Sequence, residues 1–571
     1  MKKSKFILVG LSLLMILSLL VSMAACKTAD PEPTATPTPT TTPTAAPTTT
    51  PTTTPTVAPT TAPEMPKYGG ILRMPITRAP AGFDMNRRPS YGPPWGYLVF
   101  NSLVRYDPLN GDHLNPQNLI GDLAKTWEVS ADGLVYTFNL EQGVKWHDGT
   151  PFTADDVVYS IGKFTDSTRS SIASYFPTYD RAEKVDTNTV KVYLNNPSPS
   201  FLIQIAGPYT NIQPKHLADV DWKTDEFMVG TGPFMLKEYT SGVGGSLVRN
   251  PDYFKKDANG NQLPYLDGVE ITVMSKGAQI DAFIAENVDM GQIFGGMTTQ
   301  EQLDRVKSQA PEAIIQANTP PQGTLIWFNH TYEPLKDARV RRALALVMQP
   351  EELITAAYGS PGFGNFDYAI FGSQYAMSKA EHDQLRGLDM PRADRIAEAQ
   401  KLMAEAGYAD GFPLRMVTFN LPEYERMYTL LADVWQSDLN IQTDIQLYSF
   451  GEALKERGAS NFDVFASEMT AASGDPDEVA SYFSTGNFGN FMKYSNPAID
   501  DLFVEVSLEL DMAKRIALTK QIETLILEDT AVTITRGTVF MDMWYPYVKN
   551  FVYPNVVYGS YMMLENVWLD K

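Results

Sequence analysis

The amino-acid sequence predicts an α/β protein made of more than one structural unit. The chain has 571 residues, of which 43% are hydrophobic and 20% are charged, so it can bury a large core. Residues 134–141 alternate between apolar and polar side chains, as a strand with one buried face does. Residues 338–347 instead repeat apolar side chains at helical spacing, with arginines on the other face. Both kinds of pattern occur in one chain, which favours the α/β class.

Residues 1–25 have the layout of an export signal. Three lysines within the first five residues precede an apolar run over residues 6–21, and small residues then lead to Cys26. Segment 22–26 (SMAAC) resembles the lipobox of bacterial lipoproteins, which implies cleavage before Cys26 and a lipid on its sulfur. A membrane-spanning anchor and secretion with an unmodified cysteine are the alternatives, although the apolar run is short for a span of about 20 residues.

Residues 26–66 are predicted to be a lipidated cysteine followed by an extended tether. After Cys26 the segment is almost wholly Thr, Pro and Ala, so it has little apolar surface to bury and favours a polyproline II conformation. Cys26 is the only cysteine in the chain, which excludes an intramolecular disulfide. The fold must therefore depend on its hydrophobic core.

The charge of the chain excludes two classes of partner. The formal net charge is −21 at pH 7, and such a surface repels both nucleic acid and anionic lipid. Contact with a membrane is therefore expected through the lipid anchor only.

Residues 123–161 are predicted to form a hairpin that runs into a helix. The Asp-Gly pairs at 132–133 and 148–149 indicate turns, because Gly accepts a positive φ and Asp can bond its own backbone. Thr153 and Asp156 have the spacing of a capping box, and apolar residues at helical spacing follow them.

Two stretches of the sequence resemble signatures of the family 5 bacterial extracellular solute-binding proteins. The first is KWHDGTPFTADDV at 145–157, and the second is F-N-x-x-x-x-P-L-K-D-A-R-V-R-R-A-L-A at 328–345. Members of this family capture ligands for ABC importers of dipeptides, oligopeptides, nickel complexes and some oligosaccharides. The resemblance covers nearly all of the chain after the tether.

The resemblance implies a two-lobed periplasmic-binding-protein-like fold of type II, in its large cluster C form, with the cleft between the lobes. Residues 67–322 would form lobe I with an extra subdomain, and residues 323–533 would form lobe II. Residues 534–571 would then complete lobe I. The chain would cross between the lobes near 320–325 and near 531–535.

The function implied by the resemblance is capture of an oligopeptide or oligosaccharide and its delivery to ABC permease subunits, without chemistry. The protein would be a monomer, anchored by lipid on the extracytoplasmic face of the cell membrane. Two alternatives stay open on the same fold. One is an exported carbohydrate-active hydrolase that uses two carboxylates, and the other is a surface receptor or adhesin.

One departure from the family bears on the ligand. Peptide binders of the family carry Gly-Trp-x-x-Asp shortly before the D-P-D sequence that stands here at 475–477, and that Asp pairs with the ligand's α-ammonium group. Ala472 occupies the Asp position and Met469 the Trp position, while Glu468 is a nearby substitute. Losing the carboxylate favours neutral ligands such as oligosaccharides, whose rings stack on aromatic side chains. The residues predicted to contact ligand are Ser90, Tyr91, Trp95, Trp327, Asn329, Glu468, Met469, Ala472 and Asp475.

The sequence predicts no catalytic residue, cofactor or metal. It contains no HExxH, GxSxG or P-loop motif, and its five histidines are scattered singly, so each is expected to be a surface or satisfied polar residue. Residues 257–261 resemble the first half of a calcium loop, but Gln262 stands at the position of the turn glycine and Gly268 at the position of the bidentate glutamate. A hairpin loop is the preferred interpretation.

Overall fold

The computed structural model describes most of the chain after the tether. The described residues are 65–77, 79–80, 82–86, 93–107, 118–170, 172–207, 209–220, 228–291, 297–319, 322–365, 370–470, 475–487, 489–552 and 564–571. Met65–Lys571 form one compact unit. The predictions for Cys26, Ser90, Tyr91 and Ala472 fall outside the described residues.

Helices and strands are interspersed throughout this unit. The strands are β1 Ile71–Ile76, β2 Val104–Tyr106, β3 Leu119–Gly121, β4 Ala124–Val129, β5 Val135–Leu140, β6 Tyr179–Asp186, β7 Thr189–Leu194, β8 Phe234–Thr240, β9 Gly244–Arg249, β10 Gly268–Val273, β11 Ile314–Asn318, β12 Gln322–Phe328, β13 Gly364–Asn365, β14 Pro413–Phe419, β15 Gln442–Tyr448, β16 Val464–Thr470, β17 Val532–Thr538, β18 Phe540–Trp544, β19 Val548–Lys549 and β20 Trp568–Leu569. The α-helices are α1 Pro93–Val99, α2 Ala154–Phe164, α3 Phe201–Ile205, α4 Lys276–Ile284, α5 Gln300–Gln309, α6 Glu333–Lys336, α7 Ala338–Leu346, α8 Pro350–Tyr358, α9 Lys379–Arg386, α10 Arg392–Glu405, α11 Pro422–Leu439, α12 Phe450–Gly458, α13 Pro476–Phe483, α14 Pro497–Leu508 and α15 Met512–Glu528. The predicted α/β class is confirmed.

The first part of the chain builds two four-stranded sheets. One has the order β1-β10-β9-β8, with β1 parallel to β10 and the other neighbours antiparallel. The other has the order β4-β5-β7-β6 and is antiparallel throughout. Each sheet has its own core cluster. The first is centred on residues such as Leu72 and Trp95, and the second on residues such as Phe138 and Ile161.

The predicted hairpin and helix cap are both present. In β5, buried residues alternate with half-buried ones, and Phe138 is fully buried. At the start of α2, Thr153 Oγ1 accepts a hydrogen bond from the Asp155 amide at 3.3 Å, and Asp156 Oδ2 accepts one from the Thr153 amide at 2.8 Å. This is the reciprocal capping box that the spacing predicts.

The second part of the chain builds a six-stranded sheet with the order β13-β17-β12-β16-β14-β15. β12 lies in its interior and is antiparallel to both β16 and β17, whereas β14 is parallel to β15 and β16. Helices pack on this sheet, and the resulting core cluster also includes side chains of α4 and α5.

Two pairs of successive strands connect the first part of the chain with the second. β11 leads into β12, and β17 leads into β18. β11 and β18 pair with each other in a separate two-stranded antiparallel ribbon. β12 begins one residue before the predicted lobe boundary at 323, and β17 spans the predicted boundary at 533–534.

Helix α7 buries one of its arginines. Arg339 is exposed and pairs with Asp337, but Arg341 is only 2% exposed. The Arg341 guanidinium donates to Asp529 Oδ1 at 2.7 Å and to the Thr530 carbonyl at 3.0 Å. Arg341 therefore donates hydrogen bonds to oxygen atoms just after the C-terminus of α15, where the helix itself supplies no further amide donor.

Glu523 on α15 is a fully buried carboxylate whose protonation should affect stability. Its oxygens accept hydrogen bonds from the Ile370 amide at 2.9 Å and the Met377 amide at 3.1 Å. Burial nevertheless raises the pKa of Glu523 to about 7. Because the folded pKa lies above the unfolded one, the native state holds more protons between about pH 4.5 and 7, and stability falls as the pH rises through that window.

We expect the wild-type protein to lose up to about 3 kcal/mol of unfolding free energy, relative to Glu523→Gln, between pH 4.5 and pH 7.5. Urea unfolding of both proteins at these two pH values measures the change. All other groups titrate alike in the two proteins, so their contributions cancel when the two unfolding free energies are subtracted. A difference between the two proteins that stays constant with pH would contradict the assignment.

Within the described ranges, no helix is both long enough and apolar enough to cross a membrane.

Candidate functional site

The candidate cleft lies at one edge of the six-stranded sheet. β14 and β16 run parallel and end at this edge, and the first residue of antiparallel β12, Gln322, pairs there with Thr470. Gly537, near the end of β17, pairs with Gly323 at the same edge. In α/β sheets, ligands bind outside the carboxyl ends of the parallel strands. Both connections to the first part of the chain also leave from this edge.

The predicted contacts on β12 and β16 are divided between the two faces of this sheet. Trp327 stands opposite Phe465, and Gly323 stands opposite Met469, so Trp327 and Met469 share a face. Glu468 stands opposite Thr324 and lies on the other face. Met469 is fully buried, whereas Glu468 is half-buried.

Trp327 occupies a core position. Its side chain is 1% exposed, and its ring lies 4.9 Å from that of Phe491 and 5.6 Å from that of Tyr482, centroid to centroid. The indole N–H donates to Ser467 Oγ at 3.1 Å. The ring packing and the indole hydrogen bond give the Trp327 side chain a structural role in the core.

Asn329 orders the turn after β12. Its Nδ2 donates to the Phe462 carbonyl at 2.7 Å, and its Oδ1 accepts from the Thr331 amide at 3.0 Å. The side chain is therefore engaged with backbone groups on both sides.

Asp475 is engaged by a buried arginine. Arg515 donates to both of its carboxylate oxygens, at 2.6 and 2.7 Å, and both side chains are at most 1% exposed. Asp475 Oδ1 also accepts from the Asp477 amide at 3.0 Å and so caps α13. The D-P-D sequence thus acts as a helix cap and as one half of a bidentate ion pair.

Trp95 lies on α1 in a different core. It is fully buried and packs edge to face on Phe83 and Tyr239, with ring centroids 6.4 and 5.6 Å away. Its role in ligand contact stays a prediction, as do those of Trp327, Asn329, Glu468, Met469 and Asp475.

One contact of the site could not be found from the sequence. Ser200 Oγ, just before α3, donates to Asp477 Oδ2 at 2.6 Å, so it joins the first part of the chain to the first turn of α13 in the second part. Burial, with a further contribution from the Asp475 carboxylate, raises the pKa of Asp477 to about 6. The D-P-D sequence pointed to Asp477, but no local pattern around Ser200 indicates a partner 277 residues away.

We expect Ser200→Ala to weaken ligand binding by about 1 kcal/mol, because it removes a hydrogen bond that joins the two parts of the chain and would stabilise a closed form. Calorimetric titration of both proteins with the same ligand measures the loss. Ser198→Ala is the control, since Ser198 Oγ lies 3.2 Å from Ser200 Oγ and, among the described residues, makes no hydrogen bond to Asp477. Equal affinity of Ser200→Ala and the wild type would contradict a role in closure.

Three of the five histidines are neutral at pH 7, of which His382 is buried and His147 and His330 are half-buried. Burial lowers the pKa of His147 to about 4 and the pKa values of His330 and His382 to about 3. The His147 ring bonds the Gly232 carbonyl at 3.0 Å, and the His330 ring bonds the Ala531 carbonyl at 3.2 Å. These two match the expected satisfied polar residues.

The described residues show no group of three or more His, Cys, Asp or Glu side chains that could hold a metal ion. The calcium-like stretch forms a hairpin loop, in which Lys256 and Gln262 face each other in an antiparallel bridge. The carboxylate of Asp257 accepts hydrogen bonds from the Asn259 amide at 2.9 Å, the Asn261 amide at 2.7 Å and the Tyr265 hydroxyl at 2.6 Å.

Comparison with known proteins places the chain among solute-binding proteins. Residues 118–491 match the family model described as "Bacterial extracellular solute-binding proteins, family 5 Middle". A relative from Pseudomonas aeruginosa, "Di/tripeptide-binding protein 2", is 26% identical over 505 residues, which cover 79% of this chain and 86% of the relative.

Solved structures share the fold. The periplasmic binding protein DppA from Helicobacter pylori, in complex with the peptide STSA, matches with a TM-score of 0.72 at 19% identity, over 88% of this chain and 99% of that one. The binding protein AgaA from A. tumefaciens, in complex with agropinic acid, matches with a TM-score of 0.71 at 22% identity, over the same shares of the two chains. The two-lobed fold class expected from the sequence is thereby confirmed.

Proposed function

The chain belongs to family 5 of the bacterial extracellular solute-binding proteins, and from this premise we propose that it captures peptides for an ABC importer and delivers them to the permease. The observation that carries the proposal is the match to a di/tripeptide-binding relative over most of both chains. The protein binds its ligand rather than converting it, because the proteins that it matches are binding components and not enzymes.

The geometry supports capture by closure. Two connections join the two parts of the chain, and the Ser200 to Asp477 hydrogen bond lies across the junction between these parts. A ligand stabilises such a closed form by the additional contacts that it makes there. The permease would then recognise the closed form.

Peptides are the preferred ligand class, and oligosaccharides are the second candidate. The relatives favour peptides, whereas Ala472 stands where the family's ammonium-binding carboxylate is expected. A fold neighbour binds agropinic acid, so the fold alone does not fix the ligand.

The remaining predictions complete the proposal. Lobe I would comprise residues 67–322 together with residues 534–571, and lobe II would comprise residues 323–533. The monomer would be held on the extracytoplasmic side of the membrane by a lipid on Cys26, with residues 27–66 as a tether. The signal-like pattern of residues 1–25 supports export.

A thermal-shift screen tests the proposal. The probes are mixed dipeptides to pentapeptides, gluco-, xylo- and manno-oligosaccharides, and nickel chelates. A ligand at 100 times its Kd stabilises the native state by about 2.7 kcal/mol, which raises Tm measurably. We expect a shift with peptides, whereas a shift with sugars alone would establish the oligosaccharide alternative.

A further inference from the structure

A buried carboxylate with an unsatisfied oxygen lies in the ribbon that joins the two parts of the chain. Asp542 on β18 is 4% exposed, and Asn318 on β11 is 1% exposed. Asn318 Nδ2 donates to Asp542 Oδ2 at 3.1 Å. Asp542 Oδ1 and Asn318 Oδ1 are both buried, and neither has a hydrogen-bond partner in the described structure.

Two buried acceptors without a donor are an unfavourable arrangement. A buried polar atom that makes no hydrogen bond costs free energy, and a buried carboxylate without a cation costs more. Burial raises the pKa of Asp542 to about 7, and among the described residues only the hydrogen bond from Asn318 counteracts this effect. An unsatisfied buried group of this kind calls for an explanation, and a donor from outside the chain is one.

The partner that fits is a group with several donors and a positive charge. An ammonium group has three N–H donors and no acceptor, so it could bond both unsatisfied oxygens and neutralise the carboxylate. A hydroxyl has a single donor and would leave the charge uncompensated. The chemistry of the pair therefore favours an amine over a sugar.

The strand register shows which face of the ribbon carries the pair. Asn318 stands opposite Phe540, so alternation puts Asn318, Asp542 and Trp544 on one face and Met543 on the other. Trp544 belongs to the core of the β1-β10-β9-β8 sheet, whereas Met543 belongs to the large core cluster that includes the six-stranded sheet. Asp542 thus lies where the chain passes from one core to the other.

The ribbon continues directly into the edge that carries the candidate cleft. Asn318 precedes the start of β12 by four residues, and Asp542 follows the end of β17 by four residues. A ligand held by both would contact both connections at once. Its binding would therefore be coupled to the relative position of the two lobes.

We propose that Asp542, together with Asn318, binds the free α-ammonium group of the peptide ligand, in place of the carboxylate that the family carries where Ala472 stands here. The inference rests on the proposed peptide-binding function. It also reconciles the missing carboxylate with peptide-binding relatives, since the negative charge would come from a connecting strand and not from position 472.

The test is a competition between peptides that differ only at the amine. The purified protein is incubated with a pool of tripeptides to pentapeptides, each present in equal amounts as the free amine and as the N-acetylated form. The bound fraction is separated by gel filtration and measured by mass spectrometry. We expect the wild type to enrich the free amine over the acetylated form by at least about tenfold.

Asp542→Asn is the decisive variant, because it removes the charge with almost no change of shape. We expect its enrichment ratio to fall to about one. Asp542→Ser gives the same test with a smaller neutral side chain, so either variant that folds decides the question. Glu523→Gln is the matched control, since Glu523 is equally buried but bonded by two backbone amides. It should keep the wild-type ratio.

The outcomes separate the inference from the proposed function. Peptides bound by the wild type without regard to acetylation would overturn the role of Asp542 and leave peptide binding established. A neutral variant that keeps the wild-type ratio would have the same meaning. Binding of neither peptide form by the wild type would overturn both.

Discussion

Replacing Asp475 by asparagine is expected to lower the free energy of unfolding by about 3–5 kcal/mol, because it removes the carboxylate that makes both short hydrogen bonds to the buried Arg515 and leaves only Asp477, at 3.5 Å, as an anionic partner. Both side chains are at most 1% exposed, and the pair makes two hydrogen bonds at 2.6 and 2.7 Å. Asparagine is as good an N-cap as aspartate, so the cap of α13 is retained and the loss reports the ion pair. Urea unfolding at pH 7 measures it.

Asp337→Asn is the matched control for this prediction. Asp337 also caps a helix, α7, and pairs with Arg339 at 2.6 Å, but the Arg339 side chain is 48% exposed and the Asp337 side chain is 28% exposed, so solvent reaches this pair. An exposed pair contributes at most about 1 kcal/mol, so this variant should be nearly as stable as the wild type. Similar losses for the two variants would mean that burial of the Asp475 pair is not the source of its effect.

Replacing Trp327 by alanine is expected to lower the free energy of unfolding by a similar amount, about 3–5 kcal/mol. The side chain is 1% exposed and packs against the rings of Tyr482, Phe483 and Phe491. Its removal leaves a cavity and deprives Ser467 of a donor. Equilibrium unfolding measures the loss.

Two further variants separate the roles of Trp327. Ser467→Ala removes the acceptor of the indole N–H and should cost about 1 kcal/mol. Trp327→Phe keeps a ring against Phe491 and should be more stable than the alanine variant. If this phenylalanine variant also loses more than about 1 kcal/mol of ligand affinity, Trp327 contacts the ligand; an alanine variant as stable as the wild type would contradict the core assignment.

Sequence patterns that span only a few residues predicted the local structure correctly. The alternation in β5 and the capping box at Thr153 and Asp156 are interactions within a few residues, and both are present. The signature stretches then predicted the family, which the match over residues 118–491 confirmed.

The surroundings of individual side chains were less predictable. β12 lies inside the sheet, and its run of apolar residues does not reveal which of them face a cleft, because both faces of such a strand are buried. Arg515, which pairs with Asp475, lies 40 residues further along the chain. Such pairings depend on the tertiary fold, and no local pattern encodes them.

The proposed ammonium site at Asp542 and Asn318 could not be predicted from a local sequence pattern either. Asp542 stands in an apolar stretch, VFMDMW, where a single carboxylate has no pattern that marks it. Its importance comes from the pairing of β11 with β18 and from an oxygen left without a donor. Only the structure brings those two facts together.

Identification of the ligand that the protein carries from the cell tests the central claim most directly. The protein would be purified from an export-competent bacterial host without denaturation, unfolded in acid, and the released small molecules analysed by mass spectrometry. We expect peptides with free amino termini in amounts approaching one per protein molecule. Recovery of an oligosaccharide, or conversion of an added peptide into products, would contradict a peptide-binding component of an importer.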